Sequence, residues 1–326
     1  MELQSDFPLV SYIIPTFNAD EYLERCLESI FQQEYPNNRY EVFIADGGSS
    51  DKTLEIAKRF NTIILQNEKR FTEYGKKIAF DKSKGTIIAL LDSDNIIGST
   101  DWLKRMIKPL MIDETIVGVE SNYLLAADFT SLNSYANLLV IVDPVARLLA
   151  SKPISTETLN GYIVKEFEIR ATPISGANGF LWRRIAILKY NKYADRIGES
   201  FLLMEIAKYQ KVRIANIPKL GVYHYYCKNL GDYYNKRKKV ARQHLNRRLE
   251  LDDTWVDNKG DFKLTVTALY LLTVLGPLIE ACIQLFKSKN LNWLWHPIVS
   301  LLSIILYLVY FVHSLIKLPS SSKARL

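Results

Sequence analysis

The 326-residue chain is poor in cysteine: Cys26, Cys227 and Cys282 lie far apart, with no Cys-x-x-Cys and no histidine beside them. This argues against a disulfide framework and a zinc site, and points to a reducing compartment. No Gly-x-Gly-x-x-Gly and no Walker lysine are present; the closest stretch, ADGGSSD at residues 45–51, has neither spacing. A dinucleotide oxidoreductase and a P-loop NTPase are therefore set aside. The opening MELQSDFPLV has no basic segment followed by an apolar one, so no signal peptide is expected. Internal repeats and low-complexity tracts are missing as well.

What is present is an alternation of strand-like and helix-like segments. LVSYIIPTFN reads as a strand running into a loop at Pro15. ADEYLERCLESIFQQ reads as a helix with Tyr22, Leu23, Cys26, Leu27, Ile30 and Phe31 on one face, capped by Asn18 or Asp20. YEVFIADGGSSD is a second strand ending at Asp46, DKTLEIAKRF a second helix capped near Ser50, and NTIILQN a third strand. A third helix runs through TEYGKKIAFDKSKG to Gly85, and the apolar run Ile87 to Leu91 then stops at Asp92 and Asp94. The order predicts an α/β domain with a mostly parallel central sheet. Asp46 and the Asp92/Asp94 pair fall at carboxyl ends of strands, the ligand-binding edge of such a sheet. If the extended geometry persists, Asp92 and Asp94 point the same way, and a divalent cation would offset their repulsion. A solvated turn is the other reading of the same residues.

The C-terminal part differs. Residues 264–286 and 293–316 are two apolar stretches, each long enough for about 30 Å of hydrocarbon. Trp293, Trp295 and tyrosines mark the second, whereas the first carries Pro277 and Glu280. A transmembrane hairpin is expected, with a soluble helical hairpin as the alternative. Lys236, Arg237, Lys238, Lys239, Arg242, Arg247 and Arg248 precede it, Lys317, Lys323 and Arg325 follow it, and only Lys287 and Lys289 lie between. That distribution puts both termini and the catalytic domain in the cytoplasm. Beside a membrane the basic run suits anionic lipid headgroups, and no nucleic-acid partner is expected. Residues 121–172 read as an insertion with amphipathic helices, either resting on the membrane or packed on the sheet.

VSYIIPTFNADEYLERCLESIFQQ, EVFIADGGSSDKTLEIAKRF and GKKIAFDKSKGTIIALLDSDN together resemble the opening of family 2 glycosyltransferases of GT-A fold. The resemblance covers residues 9–112 in register and runs more loosely to about 245. It implies that Pro15, Thr16, Asn18 and Asp46 hold base and ribose, and that Lys76 and Asp92 belong to the nucleotide-sugar site. Asp94, with His224 of GVYHYY, would bind Mg2+ or Mn2+ bridging the donor's two phosphates. PISGANGFLWRR looks like the family's glycine loop, with Gly176 and Gly179 lining the donor site.

The family's Glu-Asp pair before a helix is missing; the stretch here is RIGESFLLMEIAKYQKV. Apolar residues stand three, five and seven places after the base in the family. From Glu199 these are Leu202, Met204 and Ile206, whereas from Ser200 they include Glu205, so Glu199 is taken as base with Asp195 in reserve. A helix N-terminus would lower the Glu199 pKa and keep it ionised. The expected protein is an inverting transferase moving a sugar from a nucleotide-diphosphate donor, UDP-linked, to a lipid-linked acceptor. The expected layout is a GT-A domain at 1–235, a basic linker at 236–262, two transmembrane helices at 263–318 and a tail at 319–326. The rivals are a polysaccharide synthase, which normally has a Gln-x-x-Arg-Trp motif that RQHLNRR does not supply, and a nucleotide-binding scaffold without catalysis.

Overall fold

Val10, Tyr12 and Ile14 belong to one apolar cluster and Ile13 to another, as a period of two requires in a strand covered on both faces. The computed structural model describes residues 7–173, 178–251 and 260–317. The chain divides into two compact units, one of residues 1–126 and 151–225, the other of residues 127–150 and 226–326.

The first unit begins with β1 (Val10–Thr16), α1 (Leu23–Phe31), β2 (Tyr40–Asp46), α2 (Thr53–Lys58), β3 (Ile63–Gln66), α3 (Thr72–Lys82) and β4 (Ile87–Leu90). This is the alternation expected from sequence, with shorter helices. Neither helix start is capped as expected: Tyr22 and Lys52 occupy the cap positions of α1 and α2, without side-chain cap bonds. β5 (Asn95–Ile97), α4 (Trp102–Met106), α5 (Lys108–Ile112) and β6 (Ile116–Leu124) follow. The chain passes through α6 (Ser131–Leu138) and α7 (Pro144–Leu149) of the second unit. It returns as β7 (Ser155–Leu159), β8 (Tyr162–Phe167), β9 (Phe180–Arg183), α8 (Arg184–Tyr190), α9 (Glu199–Ala207) and β10 (Val212–His224).

The ten strands of the described residues form one sheet of order β3-β2-β1-β4-β9-β6-β10-β8-β7, with β5 also paired to β10. The sheet is mixed rather than mostly parallel. β1 to β4 run parallel, as do β6 and β10, but β9 lies antiparallel between β4 and β6, and β5 and β8 run antiparallel to β10. Part of the difference was readable. Asn160 and Gly161, both with positive φ (49° and 84°), join β7 to β8, and Asn-Gly between short strands is a strong hairpin signal. The expectation of helices across 121–172 passed over it. Trp102, Leu27 and Ile30 cover one face of the sheet, and Phe80, Leu202 and Ile206 the other.

The second unit is helical. After α6 and α7 come α10 (Leu230–Leu251), α11 (Gly260–Leu272), α12 (Leu275–Ser288), a 3-10 segment Leu291–Trp295, and α13 (His296–Lys317). The expected two transmembrane helices are matched only in part, by one helix long and apolar enough to span and one bent pair. Among the described residues only Leu291–Tyr310 is by itself long and apolar enough to cross a membrane. The first stretch is broken into Thr265–Leu272 and Leu275–Ser288, bent by 78°. The cause is local: Val274 adopts φ 61°, and Pro277 has no N–H and would crowd the carbonyl four residues before it in a continuous helix.

A close approach of two strands suggests a stability test. A Cβ on Gly221 in β10 would lie 2.1 Å from the backbone oxygen of Asn122 in β6, and backbone cannot yield as a side-chain tip can. We expect Gly221→Ala to lower stability by about 3 kcal/mol, read as a fall in the urea midpoint at unchanged slope.

Candidate active site

The first three strands bring polar side chains to one edge. Thr16 ends β1 and donates its hydroxyl to Asp46 Oδ1 (2.9 Å) at the end of β2. Asp46 also accepts from the backbone N–H groups of Gly48 and Ser49 (2.9 Å each) and from the Ser49 hydroxyl (2.5 Å). These four donors fill what a carboxylate can accept, so Asp46 organises the loop, and a ligand reaches it only by displacing one of them. Asn18, at φ 48°, accepts from Ser50 N–H (2.9 Å) and donates its own N–H to the Ser49 hydroxyl (2.8 Å), tying the β1 loop to the β2 loop. Pro15 pairs with Ala45 in the same ladder.

The strand β4 stops at Leu90, and Asp92 to Asn95 form a turn closed by Asn95 N–H to Asp92 C=O (3.0 Å). The extended geometry therefore does not persist to Asp94, and the alternation argument for the two carboxylates is replaced by a turn. Fully buried Asn95 holds that turn: its Oδ1 accepts from Asp92 N–H (3.3 Å) and its Nδ2 donates to Asp94 Oδ1 (3.1 Å). Asn95 pairs with His224 between β5 and β10, which brings the buried His224 Nε2 to 3.6 Å from Asp94 Oδ1. Asn178 Nδ2 donates to the Tyr123 hydroxyl (3.0 Å) and lies 3.3 Å from His224 Nδ1, while its Oδ1 is buried without a hydrogen-bond partner. Burial pushes the Tyr123 hydroxyl pKa up, and Asp92 and Asp94 add to the effect. Gly179 follows at φ 72°, its Cα facing Ser121 so closely that a Cβ would lie 3.0 Å from the serine Cβ. Gly176 lies outside the described residues.

Glu199 opens α9 as expected, with Leu202 and Ile206 turned into the core. Its carboxylate is buried against the ammonium of Lys76, itself 3% exposed, in a direct ion pair. The expected lowering of the Glu199 pKa is overturned: burial raises it, the Lys76 charge opposes only part of that, and Asp92 adds to the rise. Lys76 is held charged, its own burial outweighed by Glu199 and then Asp92. Asp195 differs. It is partly exposed and paired with Arg196 (2.9 Å) and Lys69 (2.9 Å), which bring its pKa to about 2. That makes it a poor proton acceptor at neutral pH.

Among the described residues no three His, Cys, Asp or Glu side chains cluster as a metal cage. Asp94 and His224 supply one carboxylate and one imidazole, a set that fits a cation taking its other ligands from phosphate oxygens and water. Sequence reasoning missed Asn95, Tyr123 and Asn178: Asn95 and Asn178 stand inside the quoted DSDN and glycine-loop stretches without being singled out, and Tyr123 belongs to neither; the Lys76–Glu199 pairing was invisible, its partners lying in α3 and α9.

A parallel half-sheet with carboxylates at the ends of β2 and β4, extended past the antiparallel β9 by β6 and by β10, which runs parallel to β6 and ends in a histidine at the same edge, is an α/β fold of the GT-A class. The mannosyltransferase PcManGT from Pyrobaculum calidifontis, solved in complex with GDP-Man and Mn2+, shares this fold at a TM-score of 0.59 and 18% identity, over 94% of this chain and 87% of that one. Residues 11–123 match the family described as Glycosyl transferase family 2. Glycosyltransferase AglE of Haloferax volcanii is 36% identical over 109 residues, 32% of this chain and 36% of the relative. The dolichyl N-acetyl-alpha-D-glucosaminyl phosphate 3-beta-D-2,3-diacetamido-2,3-dideoxy-beta-D-glucuronosyltransferase of Methanococcus voltae is 36% identical over 106 residues, 30% of this chain and 33% of the relative. The chain thus spans about a third of the length of these curated relatives.

The buried pair gives a pH-dependent prediction. Lys76→Met leaves Glu199 buried without its cation and should cost about 3–5 kcal/mol near neutral pH. Burial raises the folded-state pKa of Glu199 and the Lys76 charge opposes part of that rise, so without Lys76 the folded variant binds this proton more tightly than folded wild type does. The deficit relative to wild type should therefore shrink as pH falls from about 7 toward 5. Urea midpoints at both pH values check this, and Lys76→Met with Glu199→Gln should recover most of the loss.

Proposed function

We propose that the protein is a metal-dependent, inverting glycosyltransferase. In this reading it moves a sugar from a nucleoside-diphosphate donor to a lipid-linked acceptor at the cytoplasmic face of a membrane. The observation that carries the reading is the buried Glu199 carboxylate, fixed by Lys76 beside Asp92, on the first unit that also joins Asp94 to His224. Glu199 takes the acceptor's hydroxyl proton as that oxygen attacks the anomeric carbon. A raised pKa suits the task, since a base near the operating pH removes a proton with more driving force. Lys76 orients Glu199 and keeps its carboxylate ionised while the acceptor binds. Asp94 and His224 would hold Mg2+ or Mn2+, which supplies charge stabilisation for the departing nucleoside diphosphate. Asp92 takes a ribose hydroxyl, Thr16, Pro15 and Asn18 frame the base, and Asp46 holds that frame in place. Gly179 lines the donor site. A single base facing a single leaving group makes one in-line displacement, with inversion at the anomeric carbon.

The donor is read as UDP-linked from the family resemblance. GDP-mannose is the other donor to test, because the structural neighbour was solved with it. A lipid-linked acceptor is supported by the name of the Methanococcus voltae relative and by the basic and apolar character of residues 236–317. In this reading the second unit attaches the enzyme to the membrane.

The test is a donor screen on the full chain in mild detergent with Mn2+ and a polyprenyl phosphate, following radiolabel from each nucleotide sugar into the organic phase. Label from one donor is expected. Glu199→Gln should reduce turnover by about 10²- to 10⁴-fold while nucleotide binding persists, and survival of full turnover would remove Glu199 as base. Asp94→Asn should raise the Mn2+ concentration needed for half-maximal rate. Nucleotide binding without turnover on any acceptor would favour a scaffold.

A further inference from the structure

A helix that crosses hydrocarbon takes into it whatever is packed along its sides, and exposed charge there is costly. Residues 291–310 satisfy the demand of length and apolarity, at a mean hydropathy of 1.7, but their neighbours do not. Near its start, α13 holds His296 Nδ1 at 2.7 Å from the Tyr135 hydroxyl and Nε2 at 3.3 Å from Glu280, which also pairs with Arg147. Further along, Tyr307 donates to Asp143 Oδ2 (2.5 Å), and Asp143 is ion-paired to the buried Arg237 (2.9 Å) of α10. His296 and Tyr307 are eleven residues apart, about 16 Å of helix, so polar contacts occupy half the depth of a bilayer core.

The helix α10 runs beside this stretch. Its Tyr233 shares an apolar cluster with Trp293 and Val299, and one turn later Arg237 reaches the partner of Tyr307. Asn235, Lys238, Lys239 and Arg242 of that same part of α10 are exposed. Carrying residues 291–310 across a bilayer would carry these side chains with it. The other apolar stretch fails by length: α11 and α12 have 13 and 14 residues on either side of the 78° bend. Each reaches about 20 Å, short of the roughly 30 Å needed.

The opposite faces of the same helices are apolar and open. On α12 the exposed side chains are Leu275, Leu278, Ile279, Ile283 and Phe286, while Pro277 and Ala281 are buried. On α13 they are Ile298, Ile305, Val309 and Val312, at spacings of one helical face. Exposed Lys287 and Lys289 end α12 and its loop. Polar partners on one side, apolar surface on the other and basic groups nearby match helices lying in an anionic lipid interface.

We infer that residues 260–317 sit in one leaflet of an anionic membrane as in-plane helices, with no segment crossing it. The inference rests on the membrane attachment proposed above and is independent of the transfer chemistry. It is tested on the full chain carrying Cys282→Ser, in sealed vesicles oriented by an N-terminal epitope facing outward; the remaining Cys26 and Cys227 are buried. Ser288→Cys, at the exposed C-terminal end of α12, and Ser321→Cys, beyond α13, are each treated with a membrane-impermeant maleimide. Both should label fully without permeabilisation, with the protein retained on vesicles through a high-salt wash. Labelling of position 288 only after permeabilisation would establish two spans and overturn the inference. Labelling of position 321 only after permeabilisation would establish one span and overturn it too. Recovery of the chain as a soluble dimer would give the apolar faces to a second copy. None of these readouts needs turnover, so a failed donor screen would leave them interpretable.

Discussion

Negative charge converges on one edge of the sheet in the first unit, and its mutual repulsion has to be offset within the chain. Asp92 and Glu199 both act on Lys76, and the Lys76 ammonium is buried with Glu199. Removing a cation from water is unfavourable unless a carboxylate meets it directly, so the helix carrying Lys76 and the helix carrying Glu199 are constrained to approach. That approach fixes the Glu199 carboxylate, and the burial that comes with it raises the Glu199 pKa while the Lys76 charge opposes part of the rise.

The remaining side chains reach the site through strand pairing. β9 enters antiparallel between β4 and β6, and Asn178 stands just before it. β10 pairs with both β6 and β5, so its last residue, His224, arrives beside Asp94. The strands beyond β4 therefore complete an edge that β1 to β4 alone would leave half built. Asp46 plays a different part. Its acceptor capacity is taken by Thr16, Gly48 and Ser49, which makes it the fixed point of two loops rather than an open ligand.

The second unit handles buried charge by another route. Asp143, Arg237 and Tyr307 belong to one polar set, and Arg147, Glu280, His296 and Tyr135 to another. Each set uses up the polar side of otherwise apolar helices and leaves their other side bare. Composition averages over both sides, and for that reason a hydropathy window cannot tell a spanning helix from one that lies flat.

By itself the sequence determined the alternation of strands and helices through residue 91, the carboxylates at strand ends, the family resemblance and the helix start at Glu199. These follow from local periodicity and from motifs that sit together in the chain. Tertiary structure decided what depends on partners distant in sequence. It made the sheet mixed, turned the Asp92–Asp94 segment into a turn around Asn95, raised rather than lowered the Glu199 pKa, and broke the first apolar stretch at Val274. The helix dipole acting on Glu199 could be anticipated from its position, but the desolvation that outweighs it could not, because burial is a property of the assembled core.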